Sequence, residues 1–158
     1  MVYQGRIPIS TTQQIPRKVT NSLNQTLFEC FNSTIEQLSF PLPSLIYIST
    51  TDSNLTNVIA TASFTSNQSL IPYQYRSPTS LLLYNVCTRK MHQGRGYMKK
   101  LLISSLEDLY YDFRQPIRVY LEVDPSNVSA KQLYYKLGFQ TIDTTHSGRY
   151  ELMYLYYS

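Results

Sequence analysis

Apolar residues recur at Val19, Leu23, Leu27, Phe31, Ile35 and Leu38, and steps of four and three predict an amphipathic helix from Lys18 to Leu38. Pro16 precedes it, and Pro41 and Pro43 stop it. Two strand-like runs follow, LIYIST at 45–50 and VIATASF at 58–64, split by a Thr-Asp-Ser-Asn cluster, the pattern of a β-hairpin. A loop then runs from Thr65 to Thr79 with Pro72, Pro78, Tyr73, Tyr75 and Arg76; loops of about 15 residues are uncommon in compact domains and often functional. LLLYNVCT at 81–88 reads as a mostly buried strand. From Met98 the period is helical again, with Leu101, Leu102, Leu106, Leu109 and Phe113 on one face until Pro116. IRVYLEV at 117–123 predicts a strand, and Ala130, Leu133, Tyr134 and Leu137 a helix over 127–137 that Gly138 caps. FQTIDT at 139–144 and RYELMYLYY at 149–157 close the chain as strands.

This order predicts a mixed α/β (α+β) fold, helices around one central sheet, with residues 1–158 forming a single domain. The final strand carries Tyr150, Leu152, Tyr154 and Tyr156 on one side and Met153, Leu155 and Tyr157 on the other. Apolar residues on both faces fit an interior strand or one paired across a dimer, so a monomer and a homodimer are both open.

The chain has 158 residues, and only 15% are charged. No apolar run approaches the roughly 20 residues of a membrane span, and the N-terminus has no apolar signal core. The expectation is a soluble, cytoplasmic protein with no membrane partner. Two cysteines, Cys30 and Cys87, are too few for a disulfide framework or a sulfur-built zinc site; both read as small buried hydrophobes in a reducing setting, and no metal is expected.

A net charge of +4 and a pI near 9.0 invite a nucleic-acid reading. The distribution argues against it. Arg89, Lys90, Arg95, Lys99 and Lys100 lie together with no acid among them, so this segment carries +5 and the rest of the chain −1. One compact cationic spot suits a single polyanionic small ligand better than a track of phosphates. The helix that starts there is also charged backwards, with its bases first and Glu107, Asp108 and Asp112 toward its end. That opposes the helix dipole and points to an anion at the helix start. Gly94 and Gly96 allow backbone N–H groups to approach phosphate. A P-loop is excluded because no Lys-Ser/Thr follows, and the dinucleotide fingerprint because position 99 is Lys99.

The segment Val86-Cys87-Thr88 … Gln93-Gly94-Arg95-Gly96-Tyr97-Met98 resembles the acetyl-CoA motif of GCN5-related N-acetyltransferases, Q/R-x-x-G-x-G/A, with Met98 at the final Gly/Ala position. Asn127, Ala130, Leu133, Tyr134, Lys136, Gly138 and Phe139 match the family's second signature. The resemblance implies a mixed, mostly antiparallel central sheet, acetyl-CoA as co-substrate and an amine as acceptor. It places the cofactor against Val86, Cys87, Thr88, Gln93, Gly94, Arg95, Gly96, Tyr97, Met98, Asn127 and Tyr134. It also implies that backbone N–H groups around Val86 to Thr88 polarise the acetyl carbonyl, and that Tyr134 donates a proton to the CoA sulfur.

Acetyl transfer needs a deprotonated amine, a stabilised oxyanion and a stabilised thiolate. Glu122, flanked by apolar strand residues, is the candidate base, on the expectation that burial there desolvates its carboxylate. The run L-E-V-x-x-S-N-x-x-A-x-x-L-Y is similar to the ribosomal-protein N-terminal acetyltransferase branch, which implies a protein or peptide α-amine as acceptor. His92 is placed at the phosphate loop and His146 near the substrate end. Two other readings remain open: acetylation of a small amine, and a non-catalytic acyl-CoA-binding module.

Overall fold

In the computed structural model, which describes residues 1–9, 17–33, 41, 43–145 and 148–158, the chain runs β1 (Tyr3–Ile9), α1 (Arg17–Phe31), β2 (Ser44–Thr50), β3 (Val58–Thr65), β4 (Ser80–Thr88), α2 (Tyr97–Phe113), β5 (Ile117–Val123), α3 (Val128–Lys136), β6 (Gln140–Thr144) and β7 (Glu151–Tyr157). The strands form one sheet in the order β1-β2-β3-β4-β5-β7-β6. All neighbours are antiparallel except β4 and β5, which are parallel. β7 lies between β5 and β6, so its two apolar faces are those of an interior strand.

The helices divide between the two faces. α1 buries Val19, Leu23 and Leu27 against Ile46, Ile48 and Val58. Two of its polar residues secure it to β3: the Val58 N–H donates to Ser22 Oγ at 2.7 Å, and Thr26 Oγ1 donates to the Val58 carbonyl at 2.8 Å. On the other face α2 buries Met98, Leu101, Leu102, Leu106 and Leu109 in the larger core, joined there by Tyr134 and Phe139 from the α3 region. α1 is shorter than its apolar period predicts. Asn32 takes a left-handed backbone (φ 53°), and its N–H donates to the Phe28 carbonyl at 2.9 Å, which closes the helix. The rest of the predicted helix, residues 34–38, lies outside the described residues.

β1 has no counterpart in the sequence reading. Gly5, Arg6 and Pro8 break its apolar alternation, and at the sheet edge, paired only to β2, a proline costs no ladder hydrogen bond on its open side. Arg6 makes ion pairs with Asp108 (2.9 Å) and Asp112 of α2, and Tyr47 Oη donates to Asp108 at 2.7 Å. Two of the three acids in the second half of α2, Asp108 and Asp112, therefore bind the first strand.

Cys30 and Cys87 correct the expectation of two separate thiols. A disulfide joins them, with Cα atoms 6.1 Å apart. Cys87 is buried in β4 whereas Cys30 is exposed, because the last turn of α1 packs across the end of β4. The Glu29–Arg89 ion pair at 2.8 Å reinforces the same junction.

Candidate active site

The sheet parts at its centre. β4 pairs with β5 only at Ser80↔Arg118, Leu81↔Val119 and Leu82↔Tyr120, after which the two strands separate. The cause is a bulge in β4. Between the pairs Ser63↔Tyr84 and Thr61↔Cys87, β4 holds one residue more than β3, and Asn85 there has a φ of 49°. A bulge of this kind bends its strand and frees one edge of the ladder. Backbone groups of Leu83 to Thr88 consequently border an open wedge whose other wall is the end of β5. The extra residue also sets side-chain direction: Val86 packs on the larger core, and the neighbouring Cys87 turns to the α1 face.

At the β4 side of the wedge the chain turns into α2 through Gly94, Arg95 and Gly96. Both glycines are left-handed (φ 73° and 76°), and a Cβ on either would meet no atom within 4 Å. Backbone conformation, and not crowding, is what requires glycine here. Gly96 caps α2 without a side-chain bond, so the first N–H groups of the helix are open to an anion. No acid lies in the first turn. Among the described residues Lys90, Arg95, Lys99 and Lys100 make no ion pair, while Arg89 is held by Glu29. The +5 segment thus presents four free cations. His92 Nδ1 is buried in the same loop without a partner, and the His92 ring lies 6.2 Å from that of Tyr97. These features fit a pyrophosphate.

Two side chains of the motif are engaged within the protein itself. The Met98 side chain is buried in the core beneath α2, so only its backbone N–H faces the anion position. The Gln93 side-chain amide donates to the Thr88 carbonyl at 3.0 Å, fastening the loop to the end of β4. Thr88 ends the strand half-buried.

The other wall carries the groups suited to acid–base work. Asn127 caps α3, its Oδ1 accepting from the Ala130 N–H at 3.1 Å. Tyr134 is 6% exposed with its ring 5.7 Å from that of Phe139, and burial pushes its hydroxyl up to about 12. Glu122 lies on the opposite face of β5, level with Leu152 and in line with Tyr120. It is exposed, which corrects the expected desolvation: β5 buries Leu121 and Val123 under the helices but leaves this position uncovered. Glu122 and Tyr134 therefore flank the wedge from opposite faces of the sheet. His146 lies outside the described residues.

The model of the Acetyltransferase (GNAT) family matches residues 17–139. The chain belongs to this family. It is an acetyl-CoA-dependent N-acetyltransferase whose acceptor is an amine, and among the described residues no group of side chains suits a metal ion. No curated protein matches by sequence. Solved structures share the fold at low identity. The ribosomal-protein-S18-alanine N-acetyltransferase of Escherichia coli has a TM-score of 0.66 and 18% identity over 99% of this chain and 95% of its own. An N-acetyltransferase of Thermoplasma acidophilum in complex with coenzyme A has a TM-score of 0.58 and 18% identity, over 72% of this chain and 61% of its own. Mutant forms of the spermidine/spermine N-acetyltransferase of Vibrio cholerae have a TM-score of 0.54 and 21% identity, over 72% and 64%. No helix among the described residues is long and apolar enough to cross a membrane.

Proposed function

We propose that this single-domain enzyme acetylates the α-amine of a protein or peptide by direct attack in a ternary complex. The observation that carries the reading is the wedge between β4 and β5, with an anion cradle on one wall and two candidate acid–base groups on opposite faces. Acetyl-CoA supplies the activated acyl group. Its pyrophosphate fits the backbone of Gly94–Met98 with Arg95, Lys99 and Lys100, and Asn127 stands at the other wall. Those backbone N–H groups between Val86 and Thr88 that β3 does not use, left without a β5 partner, are the candidates to stabilise the oxyanion. The amine enters from the Glu122 face, and the thiolate departs toward Tyr134.

The protonation of the amine bears on the acceptor. An α-amine with a reference pKa near 8 is about 10% unprotonated at pH 7, whereas a lysine amine near 10.4 is about 0.04% unprotonated. The first is therefore the better acceptor at neutral pH, because a roughly 200-fold larger share of that amine is already a nucleophile. Glu122 then accepts the last proton directly or through water.

Release of CoA from acetyl-CoA tests the reading, with a peptide bearing a free Ser or Ala N-terminus against the same peptide N-terminally blocked and carrying an internal lysine. Turnover with the free N-terminus only is expected, and Glu122→Gln should then lower kcat by about 10²-fold or more without loosening acetyl-CoA. Equal turnover of both peptides, or none with either, rejects the α-amine assignment.

A further inference from the structure

On the Glu122 face, the loop between β3 and β4 folds over the sheet and buries Ile71 against Tyr120 and Leu152. Between this loop and the far edge of the sheet lies a cavity of about 540 Å³, bordered by Tyr75, Arg76, Arg118, Tyr120, Ile142 and Tyr154. Its size falls in the range of small-ligand sites. Tyr120 forms its floor, packed against Tyr75 (5.4 Å between centroids, 28°) and Tyr154 (5.1 Å, 36°). Ile142 reaches it from the edge strand through a bulge, where β6 has an extra residue between Thr141↔Met153 and Asp143↔Leu152.

The charge in this cavity is unbalanced. Arg118 Nη1 donates only to hydroxyls, Ser77 Oγ and Thr79 Oγ1, both at 3.3 Å, and its guanidinium lies 5.8 Å from the Tyr156 ring. Arg76 Nε donates to the Ile71 carbonyl at 2.8 Å. Neither arginine pairs with a carboxylate among the described residues, and Asp143, beside Ile142 along β6, does not line the cavity. These bonds fix both guanidiniums while leaving N–H donors unspent, the arrangement that binds a carboxylate.

We infer that this cavity is a specificity pocket for an acidic group on the acceptor, a deepening that rests on the peptide reading above. Strand geometry sets the spacing. Arg118 and Glu122 share a face four residues apart, about 13 Å along β5. An extended peptide with its amine at Glu122 brings its third and fourth residues level with Arg118.

The test compares Ser-Ala-Glu-Glu, Ser-Ala-Gln-Gln and Ser-Ala-Lys-Lys, each with an amidated C-terminus, as acceptors of the full chain with acetyl-CoA. Wild type should favour the Glu-Glu peptide over Gln-Gln by about tenfold in kcat/KM, and Arg118→Gln or Arg76→Gln should collapse that ratio toward one. Arg118→Glu should reverse the order in favour of Lys-Lys. A parallel calorimetric measurement on wild type uses the N-acetylated peptides, which bind without turnover, and needs no variant to fold. If no peptide is acetylated while the acetylated Glu-Glu peptide still binds about tenfold tighter than its Gln-Gln counterpart, the α-amine reading fails and the pocket stands. Equal kcat/KM values together with equal affinities overturn the pocket and leave the α-amine reading intact, as does a Glu-Glu preference that survives both arginine substitutions.

Discussion

Tyr134→Phe separates the role proposed for this residue from ordinary packing, because the two predict different changes in stability and activity. The ring is buried against Phe139, whereas the hydroxyl makes no side-chain hydrogen bond among the described residues and is not one of the buried polar atoms left without a partner, so it keeps access to solvent. A hydroxyl that keeps access to water and bonds no protein group contributes little to stability, so its removal should leave the protein about as stable. Activity should fall. With Tyr134 at about 12 and a leaving thiolate near 8.5, full proton transfer is uphill by roughly 3.5 units, or about 5 kcal/mol. The role proposed for Tyr134 is therefore that of a hydrogen-bond donor to the thiolate, and such a bond to a charged group contributes about 1.5–3 kcal/mol, or a roughly 10- to 150-fold loss of kcat in the variant.

Titration gives the second arm. The folded value lies above the unfolded reference of about 10, so between these the unfolded chain has lost the proton and the folded chain has kept it. Stability is therefore intact below pH 10 and declines as pH rises toward 12, by a few kcal/mol from this residue. Urea melts of wild type and Tyr134→Phe at pH 8, 10 and 11.5 measure the difference, and the variant should lose less on the alkaline side. The kcat profile with an α-amine acceptor should rise with the amine and stay level to pH 10. A variant within threefold of wild-type kcat refutes the donor role. A wild-type fall near pH 9–10 that the variant lacks would show that Tyr134 ionises there and is not desolvated as described.

Gly96→Ala places a side chain at φ 76° with open space around it, so the expected cost is backbone strain of about 1–2 kcal/mol together with weaker acetyl-CoA binding. Thermal melts and titration with CoA check both, and an unstrained variant with full affinity contradicts the left-handed turn. Reduction of the Cys30–Cys87 bond opens a loop spanning a sequence separation of 57, which by chain entropy lowers stability by about 4 kcal/mol. Denaturation with and without a phosphine reductant should differ accordingly, Cys30→Ser should match the reduced wild type, and identical midpoints would mean that the bond is absent in solution.

What was legible in the sequence depended on whether a property is written locally. The hairpin, α2, α3 and the existence of β7 follow from apolar period, its interior place only from the sheet order, and the G-x-G turn follows from backbone freedom that no other residue supplies. The reversed charge on α2 was visible too, but half of its cause was not. The acids Asp108 and Asp112 are held by Arg6, a residue about a hundred positions earlier on a strand whose Gly5 and Pro8 hid it. Only the basic half remains to be explained by an anion. The joining of Cys30 to Cys87 is non-local in the same sense, since it exists because the end of α1 crosses β4.

The wedge between β4 and β5 shows where local pattern stops. Its floor is set by one additional residue in β4, marked by Asn85 with positive φ, and no hydrophobic pattern records an insertion that shifts the register of a neighbouring strand. That same bulge decides three things together: Val86 turns to the core, Cys87 turns to α1, and the hydrogen bonds beyond Leu82 are left for a ligand instead of β5. Glu122 illustrates the converse. Its apolar neighbours suggested burial, yet alternation along β5 places it on the face that α2 does not cover. The same alternation aligns it with Tyr120 and Arg118, so the strand that carries the proposed base also carries, two and four residues earlier, the groups proposed to read the acceptor's chain.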